Sequence, residues 1–497
     1  MPKNPSPPPR LGPARLSHLS RLGPPCVSAL VAFVIACWGL TTPSFWRDEA
    51  VTADLTGRTV PQLLRVLGEI DAVHGFYYLL MWPVTTVFGA SELTLRLPSA
   101  LAAAAAAGLT ALLGRRLASD RLALTAGLLV ALSPFLSRYA QEARQYTLVA
   151  ALAVLSTWLL VRAEDRRGWA WYALSVVLLG YTHMFALLLL PAHVIARRDA
   201  LRSWAVAAGA ALVPLLGLVA FATSQRYQVS WIEPLTGKAL LKLAQALGWG
   251  PIALIPAVLL IALGLWRYRP ASPLLRVALP WLVLPPALLL GVSLVSPYYV
   301  QRYLLFCVPA AALLVAAGLE TLSWKLAAPL VVAAAVATVP THLDQRRQTA
   351  RVDDLRALSE IITEHRRPGD AVLFTDVRMR PALTVYSSAY RDLDDVMRRT
   401  SPVAAGDLKG TEISRTRYAE ALADRDRVWL IHNWIPFLPG SDRTAGAKRR
   451  ALNETGLQKA GRWLYKGGEV LLYRRVPAAE EPVDVRPKRA DPAGLAG

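Results

Sequence analysis

The sequence predicts an α-helical polytopic membrane protein of about eleven transmembrane helices, followed by a small C-terminal α/β domain on the extracytoplasmic side. Three observations carry this. Hydrophobic residues make up 54% of the 497 and charged residues 18%, against about 25% charged in soluble chains, and mean hydropathy is +0.34. The charge is uneven: residues 1–340 hold 27 Lys+Arg and 13 Asp+Glu, and residues 341–497 hold 28 and 22. Short basic runs recur after every second apolar stretch. An ordinary cytosolic enzyme is excluded.

Residues 1–23, rich in Pro and Ser with Lys3, Arg10, Arg15 and Arg21, read as a disordered basic cytoplasmic tail. Residues 24–41 form the first span. A cleaved signal peptide is disfavoured because Thr41-Thr42-Pro43-Ser44-Phe45-Trp46 makes a poor small-residue cleavage site. Further apolar stretches centre on 97–114, 121–136, 146–161, 169–182, 184–196, 203–222, 250–266, 277–295, 303–319 and 325–340. Between them lie Arg115-Arg116 with Arg121, Arg162 with Arg166-Arg167, Arg197-Arg198 with Arg202, then Arg267, Arg269 and Arg276, and finally Lys325. Cytoplasmic loops carry the Lys/Arg excess, so these loops and the N-terminus face inward.

Residues 75–89 are apolar but short, with Pro83 near the middle. If they crossed, every later basic loop would lie outside, so they read as a helix on the outer interface. The alternative is twelve helices and a cytoplasmic C-terminal domain. With eleven, residues 24–340 form the membrane module. The outer face receives 42–95, 137–145, 223–249, 296–302 and everything after 340.

Residues 341–476 read as the α/β domain. Leu355, Leu358, Ile361 and Ile362 give 352–366 a helical face, and Pro368-Gly369-Asp370 turns the chain into a strand at 371–375. A helix at 415–423 and strands at 428–431 and 470–473 follow, then a disordered tail at 477–497. No glycine fingerprint, P-loop or paired Cys/His set appears there, so the domain's expected task is capping or acceptor recognition.

The net charge of +20 does not point to nucleic acid, because the basic residues are dispersed between apolar segments rather than clustered on one face. Arg outnumbers Lys 46 to 9, a bias from which no chemistry follows. Cys26, Cys37 and Cys307 all sit in apolar stretches, as small buried hydrophobes do.

Eight of the 13 acids before residue 340 fall on the outer segments, where four clusters stand out. Asp48-Glu49 follows the first span; a carboxylate pair at a membrane boundary marks a site or caps a helix. Asp71 and His74, three apart, precede Tyr77 and Tyr78; they could hold a metal or orient one another. Arg138, Glu142, Arg144 and Tyr146 form the third cluster, and Arg302 with Tyr303 the fourth. Arginine at a membrane edge binds phosphate through its planar fork or merely snorkels.

In order, Phe45-Trp46-Arg47-Asp48-Glu49-Ala50, His74-Gly75-Phe76-Tyr77-Tyr78-Leu79-Leu80, Ser91-Glu92-Leu93-Thr94-Leu95-Arg96-Leu97-Pro98-Ser99 and Gln141-Glu142-Ala143-Arg144-Gln145-Tyr146 resemble the GT-C type membrane glycosyltransferases, in the protein-mannosyltransferase-like and aminoarabinose-transferase-like group. The likeness extends to Gln301-Arg302-Tyr303-Leu304-Leu305 and is weak over the C-terminal domain. It implies transfer of one sugar, mannose first among the options, from a polyprenyl-phosphate donor to a protein, lipid or glycan on the outer face of a bacterial plasma membrane. Asp48 would then be the catalytic carboxylate with Glu49 in support, and Arg302 and Arg144 would hold the donor phosphate. His74, Tyr77, Tyr78, Glu142, Tyr146 and Tyr303 would line the substrate or lipid groove. Gly75 and Phe76 stand where the family has prolines. No cofactor is assigned and metal dependence is left open: a divalent metal on Asp48, Asp71 and His74 is an option that no ligand spacing demands. A transporter or flippase of a lipid-linked saccharide is the rival reading, disfavoured by the lack of internal repeats and of mid-span charges. A non-catalytic assembly protein is a third.

Overall fold

Every apolar stretch read from the sequence is helical in the computed structural model, which describes residues 13–434 and 441–475, with side chains from 23 to 434 and from 443 to 475. The expected tails at 1–12 and 477–497 lie outside the described residues. The first helix, α1 (Pro13–Cys37), begins within the stretch that composition assigns to the basic tail. After it come α2 (Arg47–Thr56), α3 (Val60–Glu69), α4 (Gly75–Phe88), α5 (Glu92–Leu117), α6 (Asp120–Ala131), α7 (Pro134–Ala140), α8 (Tyr146–Arg162) and α9 (Arg166–Thr182). The chain continues through α10 (Leu190–Ala196), α11 (Leu201–Leu212), α12 (Leu216–Ser224), α13 (Gly237–Leu247), α14 (Pro251–Arg267), α15 (Pro273–Ser293), α16 (Val308–Thr321) and α17 (Trp324–Gln345).

Among the described residues, five helical segments are long and apolar enough to cross a membrane: 92–117, 198–224, 273–293, 301–321 and 324–345. Two bent pairs raise the number to seven if each is one span: α6 with α7 at 57°, and α13 with α14 at 72°. Shorter apolar helices cover 23–37, 146–162 and 184–196. Helix α4 has 14 residues, and Pro83 lies inside it. It buries Tyr77, Tyr78 and Met81 while Leu79, Leu80, Val87 and Phe88 stay exposed.

Helix α5 is the centre of the bundle, packed against α1, α6 and α8, and α6 and α14 both pack on α16. In lipid, helices gain no hydrophobic advantage from pairing, so small residues that let backbones approach decide where they meet. The alanines Ala100, Ala103, Ala106 and Ala107 on α5 are buried. At the α14–α16 crossing a Cβ on Gly318 would overlap the Leu260 carbonyl.

The bend between α6 and α7 shapes the site. Ser133 caps α7 by accepting from Leu136 N–H, and the turned helix swings the following loop inward. Residues 140–147 are all buried, although the sequence reading places 137–145 among the outer loops.

Beyond α17 comes α18 (Leu355–His365), whose N-terminus is capped by Asp354. The strands are β1 (Ala371–Phe374), β2 (Asp394–Asp395), β3 (Arg398–Thr400), β4 (Thr411–Glu412), β5 (Arg427–Asn433), β6 (Leu457–Tyr465) and β7 (Gly468–Arg475). Five build one sheet in the order β2-β1-β5-β7-β6, while β3 and β4 pair separately. β1 runs parallel to β2 and β5, and β7 antiparallel to β5 and β6. Alternation divides the sheet between two cores. Leu373, Val428 and Leu430 pack with Tyr418, Leu422 and Leu452. Val372, Phe374, Trp429 and Leu472 share a core with α18 and also with Phe45, Ala50, Leu63, Tyr78 and Ala143. The α/β domain is therefore continuous, through one of its faces, with the helices α2 to α4.

Candidate functional site

Helix α2 opens without a local cap: Trp46 sits in extended backbone, and its side chain makes no capping bond. Asp48 and Glu49 occupy the first turn, where the helix dipole favours carboxylates. Their fates differ. Glu49 is fully buried, and its Oε1 and Oε2 accept from Arg96 Nε and Nη2 at 2.7 and 2.8 Å. Oε1 also accepts from Ala143 N–H at 2.9 Å. Arg96, itself fully buried, donates further to the carbonyls of Leu40, Pro43 and Ser44. The pair bolts α2, α5 and the 141–145 loop together. Asp48 retains 23% side-chain exposure and lies 3.6 Å from Arg144 Nη2.

Arg144 leads back to the second cluster. Its Nη1 donates to the Tyr78 hydroxyl at 3.0 Å, which donates to Asp71 Oδ2 at 2.5 Å, while His74 Nδ1 meets Asp71 Oδ1 at 2.8 Å. Burial pushes the Asp71 carboxyl up, but His74, Arg144 and Tyr78 outweigh it and hold the group well below the usual carboxylate range. Asp71 has left-handed backbone, φ 66°, which a non-glycine residue keeps only where its surroundings insist. They do: Gln228 and Gln225 side chains accept from the N–H groups of Asp71 and Ala72.

Arg302 is built differently. Its Nε donates to the Tyr146 hydroxyl at 2.8 Å. Its guanidinium lies over the rings of Tyr146, Trp231 and Tyr303, 5.5, 5.6 and 5.9 Å from their centroids. Among the described residues no carboxylate comes within ion-pair distance of it. Tyr303 stacks on Phe185 at 5.4 Å and meets His183 at 4.8 Å. The charge of Asp48 reaches both Arg144 and Arg302.

Glu142 is buried between Arg138 Nη2 at 3.1 Å and Arg351 Nε at 3.6 Å, yet neither carboxylate oxygen makes a hydrogen bond. Burial is the largest influence, and it raises this carboxyl to about 7 against the opposing pull of Arg138. An under-satisfied buried carboxylate calls for an explanation, and a site is one.

The sequence-predicted residues thus fall into two connected groups, Asp48–Arg144–Tyr78–Asp71–His74 and Arg302–Tyr146–Tyr303. Glu142 is coupled electrostatically to Asp48 and Arg302. Tyr77 lies in the core beside Tyr78, ring centroids 6.2 Å apart. The three residues named for a metal do not converge: Asp71 and His74 touch, but Asp48 stands across Arg144. Among the described residues, no group of three His, Cys, Asp or Glu side chains could hold an ion. Arg96 was legible as a member of the Ser91–Ser99 motif, but its link to Glu49 was not. Arg351, Trp231 and the two glutamines carried no local signal.

The segment 75–225 matches the family model described as dolichyl-phosphate-mannose-protein mannosyltransferase. Among solved structures the chain is similar to ArnT from Cupriavidus metallidurans bound to undecaprenyl phosphate, with TM-score 0.60 at 16% identity over 95% of this chain and 100% of that one. The apo state of the same protein gives 0.58 at 14% identity over the same shares. The archaeal oligosaccharyltransferase AglB from Archaeoglobus fulgidus, in complex with an inhibitory peptide and a dolichol-phosphate, is more distant: 0.47 at 11% identity over 95% and 75%. No curated protein matches the chain. The family model and the ArnT fold bear out the resemblance carried by the motifs, to the GT-C membrane glycosyltransferases of the protein-mannosyltransferase and ArnT type.

Proposed function

We propose that the protein transfers one sugar, mannose by the family it resembles, from a polyprenyl-phosphate donor to an acceptor at the extracytoplasmic face of a bacterial plasma membrane. In this reading about eleven spans run with the N-terminus inside and the α/β domain of residues 341–476 outside, supported by the basic loops that recur after every second apolar stretch. The observation that carries the reading is Arg302: a guanidinium walled by aromatic faces, free of any carboxylate partner among the described residues, and in the electrostatic reach of a half-open Asp48. A planar cation so placed suits a phosphate, and the rings suit a lipid or sugar. The ArnT structure with undecaprenyl phosphate supports a lipid-phosphate ligand for a fold of this kind.

In this mechanism Asp48 accepts the proton of the acceptor's attacking group. The acceptor atom attacks the anomeric carbon, the bond from that carbon to the phosphate oxygen breaks, and its electron pair leaves with the lipid phosphate. Arg302 and Arg144 stabilise the charge that develops there, the role for which fixed cations outperform water. Glu49 acts through the helix turn it anchors, and Glu142, buried between Arg138 and Arg351, acts on the site through its charge rather than by lining the groove.

Membranes incubated with labelled polyprenyl-phosphate sugars test the reading. Wild type should transfer label, and Asp48→Asn should insert normally and transfer none. Full transfer by that variant would remove the mechanism. Cysteine labelling at 160–167 and 400–410 checks the topology; reaction of 400–410 from the cytoplasmic side alone would overturn it.

A further inference from the structure

The backbone just before Asp48 is held by the α/β domain. Ser44 N–H donates to Gln348 C=O at 3.1 Å, and Phe45 N–H to the Tyr386 hydroxyl at 3.2 Å. Phe45 C=O accepts from Leu355 N–H at 3.2 Å. At Arg47, the first residue of α2, Asp353 takes over. Its Oδ2 accepts from the Arg47 backbone N–H at 3.3 Å and from Arg47 Nε at 2.8 Å, and its Oδ1 from Nη2 at 3.3 Å. Asp353 is fully buried. A helix start with no local cap thus receives its capping carboxylate from 306 residues away.

Asp353 is in turn fixed by the turn between β6 and β7. Its neighbour Asp354 donates its N–H to Lys466 C=O at 2.8 Å. Gly467 has φ +103°, and a Cβ there would stand 2.6 Å from Asp353 Oδ1. Only glycine lets the hairpin come this close.

We propose that Asp353 is a positioning residue for Asp48, acting through Arg47: the α/β domain caps the helix that carries the reactive carboxylate and sets its direction. The proposal rests on the transfer reaction assigned above. It makes the C-terminal domain part of the active site's scaffold, in addition to any part it has in acceptor recognition.

Asp353→Asn tests this, with Asp394→Asn, which opens a half-exposed surface pair with Arg425, as the control. Small displacements of a reacting group cost up to about 100-fold in rate. Asp353→Asn should therefore lower kcat by about 10- to 100-fold. Its KM for the polyprenyl-phosphate sugar should stay near wild type, because Arg302 and Arg144 are untouched. Arg47→Ala should behave alike, and the double variant should be no worse than either single one. Hydrogen–deuterium exchange, which needs no substrate, should quicken in residues 47–56 and not in 146–162. Unchanged exchange in α2, additive losses in the double variant, or a loss in KM alone would each overturn the proposal. A wild type that transfers no sugar, combined with faster exchange in α2, would overturn the assigned reaction and leave the trans cap standing.

Discussion

Glu49→Gln separates anchoring from chemistry at the Asp48-Glu49 pair. Both Glu49 and Arg96 have no exposed side-chain surface. Removing one partner of a buried pair leaves an uncompensated charge and costs about 3–5 kcal/mol. Glutamine keeps the shape and an oxygen that can accept from Ala143 N–H and Arg96 Nε, and Arg96 keeps its three carbonyl partners. The expected loss is thus at the low end, about 3 kcal/mol, which lowers Tm by roughly 5 °C in a chain of this size. The measurement is thermal unfolding of purified protein in detergent by tryptophan fluorescence, beside the transfer rate at a temperature well below Tm. At that temperature the variant should keep about a tenth of wild-type turnover or more, because Asp48 remains and its helix turn is only loosened. A variant with wild-type Tm and a thousand-fold lower rate would refute the anchoring role and make Glu49 a participant in the reaction. A variant unchanged in both would refute the argument from the buried pair.

Glu142 gives a pH prediction. Its carboxyl is raised by burial from the ordinary 4.5 to about 7. Between those values the folded protein holds a proton that the unfolded chain has lost, so this group adds stability as pH falls from above 7 toward 4.5. The gain is at most about 3 kcal/mol. Melting curves at pH 8 and 5.5 should show wild type gaining relative to Glu142→Gln, and parallel shifts in the two proteins would count against it. For Arg302, substitution by alanine should lower kcat/KM for the donor by about 100-fold or more, as loss of a charge-stabilising group does. Lysine should restore no more than about ten-fold of that, since it lacks the planar fork. Initial rates against donor concentration decide it, and full rescue by lysine would refute the claim that geometry rather than charge alone holds the phosphate.

The apolar stretches were legible because lipid demands long runs of hydrophobic residues, a requirement each segment meets alone. The strands at 371–375, 428–431 and 470–473 were legible for a similar reason: all three lie in the middle of the sheet and read as continuous apolar runs. The edge strand β6 was missed. Its sequence, Leu457 to Tyr465, has an exposed Gln-Lys-Ala run and a register shift between Lys459 and Gly461, so no clean alternation marks it. The expected helix at 415–423 is a single turn of 3-10 helix followed by Tyr418–Leu422. At the site, composition and motif identified which residues gather, but not what holds them. The partner of Glu49 is 47 residues away and that of Arg47 is 306 away. Pairings over such distances follow from the fold and leave no local pattern. The burial of residues 140–147 likewise depends on the 57° bend before them, which the sequence marks only by Ser133-Pro134.

The division of labour between Asp48 and Glu49 follows from helix geometry. Adjacent residues on a helix point about 100° apart, so when Glu49 turns inward to Arg96, Asp48 cannot follow it. Asp48 is left at the opening, beside Arg144. The surrounding charges complete the effect. Glu49 is balanced by Arg96, and Glu142 faces two arginines, Arg138 and Arg351. Arg144 lies between Asp48 and the Asp71–His74 pair, and Arg302 has aromatic neighbours in place of an acid. Five arginines, Arg96, Arg138, Arg144, Arg302 and Arg351, thus stand among four acids, Asp48, Glu49, Asp71 and Glu142, so cationic groups outnumber acidic ones by one. That surplus is concentrated at Arg302, within reach of Asp48's field. Such a surplus draws an anion toward Arg302. Under the proposed reaction, this arrangement would become more favourable as negative charge develops on the departing phosphate, which is the requirement for stabilising a transition state more than a ground state.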